Sequence, residues 1–385
     1  MLSSNQNPVV WLKKNLFNTW YNVVLTIASL WLVYSIVAAL VDWSLSLADW
    51  SVIAANFRLF FVGLYPVKYL WRTWVTLGLT VAFVGLSWGM VAANGVLLSH
   101  SVLGVLGSVA IVCALVAIPG GIVASGILLG LLLLLVVMAI AGKRLASKIQ
   151  GLVNWLPLIW LGVFWLDLWV LLGVRSVRLD NLSGLILTVL VAVVSIVLCF
   201  PFGVMLALGR QSKLPVIHWL SVAYIEVVRG IPLIGTLFIA QVMLPLVLPP
   251  DVRPDRVVRA IAGMTIYSSA YLAENIRGGL QSIPQGQVEA AKALGLNTFY
   301  TLGFIVLPQA LRAVIPSIVG QFISLFKDTS LLAIVGLVDL LGIAQKILAN
   351  PKFLGHHGEV YLLVAVIYWI FCYSMSLASR KLENK

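Results

Sequence analysis

The sequence predicts an all-α integral membrane protein of about ten transmembrane helices. Composition is the first reason. Of 385 residues, 61% are hydrophobic and 10% charged, whereas a soluble domain carries about 25% charge. The second is a mean hydropathy of +1.06. The third is spacing: apolar runs of about 20 residues, enough to cross a bilayer, recur along the whole chain. No long polar segment able to form a water-soluble domain stands between them.

The runs, in order, are expected over residues 19–41, 74–93, 102–118, 122–141, 152–172, 184–208, 219–248, 257–280, within 311–336, and 359–378. The third and fourth are separated by a tight Pro119-Gly120-Gly121 break. The seventh is interrupted at Pro232. The first follows Lys13 and Lys14, is as long as a full span, and reads as a signal anchor that stays. Pro201, Gly203, Gly230 and Pro232 mark kinks or close helix contacts.

The net charge is +12, from 25 Lys+Arg against 13 Asp+Glu. Its clusters lie between apolar runs, as the positive-inside rule expects, so nucleic acid is not the expected partner. An even span count with a cytoplasmic N-terminus places four clusters in the cytoplasm: Lys13 and Lys14; Lys143, Arg144 and Lys148; Arg210 and Lys213; Arg380, Lys381 and Lys385. Residues 281–309 then face the cytoplasm too. Arg253, Arg256 and Arg259, interleaved with Asp251 and Asp255, run against this rule. So do Arg58, Lys68 and Arg72 in residues 42–73, where Trp43, Trp50, Tyr65 and Trp71 suit an interfacial segment.

Catalytic chemistry is not visible. Cys113, Cys199 and Cys372 offer neither a disulfide framework nor a metal motif. His100, His218, His356 and His357 form no ligand set with Cys or carboxylates. No Ser/His/Asp arrangement and no G-x-x-x-x-G-K-[ST] phosphate loop is present. The chain is expected to hold no cofactor, and any ATP must be bound elsewhere.

Charges within the spans cost about 2.5–3.5 kcal/mol each and are therefore paired or functional. Glu226 and Arg229 stand three apart, as do Glu274 and Arg277, at the cytoplasmic halves of the seventh and eighth runs. Each pair either neutralises itself or belongs to a gate across helices. Lys327 and Asp328, followed by Thr329 and Ser330, are either a local pair in a broken helix or a polar lining of a substrate path. Asp167, in the fifth run, is expected to be structural.

The polar segment after the eighth run carries most of the information. Ser282 and Gln285 are spaced like a capping box, with Pro284 in the first turn. Gln287 to Leu294 are helix formers, and Glu289 and Lys292 stand three apart. Gly295 suits the left-handed position that ends a helix. Asn297 or Thr298 can cap a second helix running toward Leu307 and Pro308. Ala290 and Ala291 lie beside Leu294 and Leu296, a surface that another could approach closely. Glu289-Ala290-Ala291, three residues, Gly295, nine residues, then Ile305-Val306-Leu307-Pro308 resembles the EAA loop of ATP-binding-cassette (ABC) importer permeases.

Three further stretches resemble the polar amino-acid branch of these type I importers: EVVRGIPLIGTLF from Glu226, AYLAENIRGGL from Ala270 and FKDTSLLAIVG from Phe326. The resemblance implies a C-terminal five-helix permease core over residues 182–380, with a cytoplasmic coupling loop at 281–309. Residues 1–18 are then a cytoplasmic segment and 19–173 an N-terminal extension, similar to that of the long permeases of general L-amino-acid importers. It also implies a cytoplasmic ABC ATPase dimer that binds ATP and Mg, a second permease subunit (copy or paralogue) and a periplasmic amino-acid-binding protein. The setting would be a bacterial plasma membrane with both termini inside. Glu289, Ala290, Ala291, Gly295, Ile305, Leu307 and Pro308 would couple to the ATPase. Glu226, Arg229, Glu274, Arg277, Lys327, Asp328, Thr329 and Ser330 would gate or line the path. The alternative is a stand-alone secondary transporter, which needs coupling-ion ligands near mid-membrane. A membrane enzyme and a purely structural partner are weaker still, having no catalytic set and no need of such a loop.

Overall fold

The computed structural model describes residues 11–12, 15–92, 97–149, 151–173, 177–249 and 252–383. Lys13, Lys14, Asp251 and Lys385, used above to orient the chain, lie outside the described residues, as does the end of the second expected run at residue 93. The described residues form helices and no strand, because a chain in lipid must satisfy its backbone within itself. An isolated parallel bridge joins Gly184 and Asp339.

The N-terminal half begins with α1 (Trp20–Asp42), extended by a π-helical turn over Trp43–Leu47. Its most apolar stretch buries nothing against the rest of the protein. Next comes α2 (Ser51–Val62), a twelve-residue helix where an interfacial segment was expected. Val52, Ile53, Asn56 and Phe60 are buried on one face, the i, i+1, i+4, i+8 spacing of an amphipathic helix. α3 (Leu70–Val91) runs along α5 (Ala117–Lys148), with Gly85, Gly89 and Gly142 at the contact. After α4 (His100–Leu115), the expected break lies inside the first turns of α5, at Gly121, whose φ of 83° is not helical. α6 (Leu156–Leu172) is tied to α3 by two polar bonds. The Thr80 hydroxyl donates to Asp167 Oδ2 at 2.9 Å, and the Trp160 indole N–H donates to Ser87 Oγ at 3.0 Å. Asp167 thus serves helix packing.

The C-terminal half centres on two long helices packed side by side, α7 (Gly184–Arg210) and α10 (Arg256–Gln281). Pro201 sits inside α7 without ending it. Gly203 is where α7 meets Leu272 of α10, since a Cβ there would crowd that side chain. Between them α8 (Pro215–Gly230) and α9 (Leu233–Val247) meet at 103°, the break expected at Pro232. After α10 come α11 (Gln285–Ala293) and α12 (Thr298–Ala313), which meets α13 (Ile315–Asp328) at a bend of 62°. α14 (Leu340–Leu348) and α15 (His357–Glu383) complete the chain. Leu187, Leu237, Met264, Leu272, Ile276 and Leu325 are buried in the main core.

Among the described residues six helices are long and apolar enough to cross a membrane, or up to eight if each bent pair is one span. Two expected runs fall outside that set for different reasons. The helix His100–Leu115 has 16 residues and is short for a crossing. α10 has 26 residues but is amphipathic, carrying its charged and hydroxyl groups on a helix otherwise wrapped by neighbours.

α7 defines two ends. At its start, Gly184 N–H donates to the Val338 carbonyl at 2.8 Å, and Leu340 N–H donates to Thr188 Oγ1 at 3.1 Å. Asp339 caps α14 by accepting from the Gly342 and Leu341 N–H groups. Burial outweighs those bonds and pushes the Asp339 carboxyl up to about 6. At the other end of α7 lie Arg210 and the segment that interrupts the spans.

Candidate coupling loop and ion cluster

The loop is built from local turn chemistry. The expected capping box does not form. Ser282 instead caps the end of α10, where its hydroxyl donates to the Gly279 carbonyl at 2.8 Å. Pro284, with no side-chain acceptor, stands at the start of α11. The far end of α11 closes as a Schellman turn: Leu296 N–H donates to the Ala291 carbonyl at 3.1 Å and Gly295 N–H to that of Lys292 at 2.9 Å. Gly295 takes the left-handed conformation, φ 79°. Asn297 caps α12, accepting from Tyr300 N–H at 3.0 Å. Pro308 follows a π-helical stretch over Thr301–Val306, which relieves the clash of its ring with the preceding turn.

The faces of α11 differ from the sequence expectation. Glu289, Ala290 and Lys292 are exposed, and Glu289 and Lys292 make no ion pair. Ala291 is buried, on a helix that packs against the stretch Thr301–Val306 of the same loop, rather than presented beside Leu294. Ile305 and Leu307 are half-buried and Pro308 is exposed. Leu294 is 81% exposed, and Phe299, Tyr300 and Phe304 form an exposed aromatic group next to it. Sequence reasoning missed these aromatics, although their crowding just after a helix cap marked them.

Beneath the loop, five charges meet. Arg210 Nη1, at the end of α7, lies 2.7 Å from Glu274 Oε1 and 3.0 Å from Glu226 Oε1. Arg277 binds Glu274 Oε2 at 2.8 and 3.0 Å. Arg229 Nη1 is 3.7 Å from the same oxygen, and its guanidinium lies over the Tyr271 ring at 5.6 Å. The expected Glu274–Arg277 pair is therefore present. The expected Glu226–Arg229 pair is not: Glu226 turns to Arg210, and Arg229 turns to Glu274. Arg210 and Arg229 each find a carboxylate on another helix, whereas Arg277 keeps the one on its own. Arg210 is the residue the sequence did not single out, because its partners lie on α8 and α10.

The other expected path residues separate. α13 ends at Asp328 and a 3₁₀ turn follows over Thr329–Ala333, so the helix is broken there. Lys327 is exposed, and Asp328 and Ser330 are half-buried. Lys327 and Asp328 make no ion pair with each other, as adjacent helical residues point apart. Thr329 is fully buried; its hydroxyl donates to the Phe326 carbonyl at 2.6 Å and meets the Tyr368 hydroxyl at 3.3 Å. It packs α13 on α15.

A family model described as "binding-protein-dependent transport system inner membrane component" matches residues 199–385. The inner membrane amino-acid ABC transporter permease protein YhdY of Escherichia coli (strain K12) is 34% identical over 397 residues, covering 99% of this chain and 94% of that protein. This chain belongs to the permeases of binding-protein-dependent ABC transporters. The permease BztC of the glutamate/glutamine/aspartate/asparagine transport system of Rhodobacter capsulatus is 35% identical over 431 residues, again covering 99% and 94%. Both alignments run through the N-terminal half, so the long form of the permease is shared. A shorter relative, the probable glutamine ABC transporter permease GlnP of Bacillus subtilis (strain 168), is 42% identical over 201 residues, 52% of this chain and 91% of its own length. Among solved structures, an amino acid ABC transporter crystallised with histidines matches at 28% identity and a TM-score of 0.47, over 52% of this chain and 91% of that one. As an ABC permease, the chain is the membrane subunit of an ATP-driven importer. The stand-alone transporter reading gives way.

Proposed function

We propose that this permease carries amino acids inward across the bacterial plasma membrane, driven by a cytoplasmic ATPase dimer that docks on residues 281–309. Amino acids are the cargo named for both long relatives. The observation that carries the docking role is the projecting loop itself: an exposed α11, closed at Gly295 and rimmed by Leu294, Phe299 and Phe304. Exposed apolar groups on a polar loop mark a protein contact. In this reading Glu289, Ala290 and Gly295 form the docking face. Ala291, Ile305 and Leu307 root the loop in the bundle, and Pro308 sets its exit angle. ATP and Mg are bound by the partner, and a periplasmic binding protein delivers the amino acid to a pair of permease cores.

The ion cluster joins the inner ends of α7, α8 and α10 at the root of the loop. Closure of the ATPases would move α11, and with it the last turns of α10 that carry Glu274 and Arg277. We assign the cluster, including Arg210, to an inner gate that opens when those turns move. Lys327, Asp328 and Ser330 remain candidates for the path. With the loop inside, both termini are cytoplasmic, residues 19–173 are the extension and 182–380 the transport core.

Co-purification in mild detergent, with ATPase activity assayed in the isolated complex, tests this. An ATPase subunit should accompany the wild type and be lost from a Glu289→Ala/Gly295→Asp double variant that still inserts. A protein that purifies alone and moves amino acids into liposomes without ATP would defeat the proposal.

A further inference from the structure

The end of the core opposite the coupling loop is not closed by the core alone. The backbone N–H of Asp49 donates to Glu359 Oε1 at 2.9 Å, across 310 residues of sequence. Glu359 is buried, and His356 Nδ1 stands 3.7 Å from the same oxygen. Leu64 N–H donates to Ser183 Oγ at 2.6 Å. Between these two bonds runs α2, with Val52 and Phe60 fully buried among Leu340, Ile343 and Ile347 of α14 and Val360 of α15. Gly184 opens α7 at φ 66°, and a Cβ there would press on the carbonyls of Leu59 and Phe60. The start of α7 is therefore shaped to lie against α2. α7, α14 and α15 meet here, and α2 packs on all three.

A permease of this class does not need such a part, since the GlnP match covers 91% of that protein but 52% of this chain. We infer that residues 49–65 are a clamp acting in cis, through which the extension fixes α14 and so sets the outer surface offered to the delivering binding protein. Only the naming of that face as outer, and of what docks there, rests on the proposed function. The clamp itself is a property of this chain.

The test uses the full chain in complex with its ATPase, in nanodiscs. Amide exchange is read on residues 340–348 and 285–293, and ATPase stimulation is titrated with the liganded binding protein. Glu359→Ala should speed exchange in 340–348 by about tenfold and leave 285–293 unchanged, because one buried acceptor is lost. The binding-protein concentration for half-maximal stimulation should rise several-fold with basal ATPase unchanged. Glu359→Gln keeps an oxygen acceptor for Asp49 and should restore both readings. Phe60→Val, a milder change on the other partner, should shift exchange in the same direction and serves if Glu359→Ala does not assemble. Unchanged exchange in 340–348 would show that the core holds α14 unaided and would overturn the clamp. Faster exchange with an unchanged titration would overturn its control of the docking surface. A wild type that no binding protein stimulates would instead count against the proposed function, leaving exchange to judge the clamp.

Discussion

Gly295 turns the chain at φ 79° with open space where a Cβ would stand. A side chain there meets no neighbour within the chain, so its cost is the left-handed backbone, about 1–2 kcal/mol, and whatever it obstructs on the proposed docking face. Gly295→Asp should therefore reach the membrane in normal amount and carry no amino acid, as read by immunoblot and radiolabelled uptake. Uptake at the wild-type rate would remove Gly295 from coupling. Glu274 makes the opposite kind of prediction. It is 15% exposed in its side chain and receives three guanidinium groups. Glu274→Ala should cost about 1–3 kcal/mol in thermal unfolding, since it strands its partners. Glu226→Ala, whose side chain is 55% exposed, should cost under about 1 kcal/mol. Equal losses would mean that the cluster has no centre. Gly295 and Asn297 were readable in advance because a turn is specified by its own few residues. Arg210 was not, because its partners are brought to it by helix packing.

Among the elements, α14 and its cap respond to pH. Asp339 lies between the spans, and burial raises its carboxyl from an ordinary 3.8 to about 6. The folded protein thus binds this proton more tightly than the unfolded chain does. The stability it contributes is complete below about pH 4 and is lost as pH rises through about 6. Asp339→Asn keeps an oxygen for the α14 N–H groups and should flatten that part of the stability profile between pH 4 and 6. A profile with the same slope in the variant would assign the titration to another group. α2 responds to packing: Phe60→Ala should cost about 3–5 kcal/mol, the value for truncating a buried aromatic. The long apolar runs were visible from hydropathy alone. α2 was hidden, because its buried face is four residues in a stretch whose many aromatics read equally as a membrane interface. The α11 faces were half visible. Small residues marked a close approach, but only the fold shows that Ala291 is turned inward, on a helix packed against Thr301–Val306.

The whole molecule divides its hydrophobic surface unequally. α1 is apolar all round and buries none of its central stretch, whereas α7 and α10 bury long faces on each other. Trp31→Ala on α1, a residue 68% exposed, should shift stability by less than about 0.5 kcal/mol, against the large loss at Phe60. A comparable loss at Trp31 would mean that α1 packs on a partner. The sequence foretold the membrane character and the turn at Gly295, but of its ten expected runs two do not form helices long and apolar enough to count as spans. It could not foretell which ends meet, since hydropathy says where a helix lies in depth and nothing about its neighbour. That blindness matters most for the bond between Asp49 and Glu359. At ordinary rates of translation, the 310 residues between them take roughly 15–60 s to synthesise. For that time the buried face of α2 waits without α14 and α15, and this corner of the protein stays unfinished until α15 leaves the ribosome.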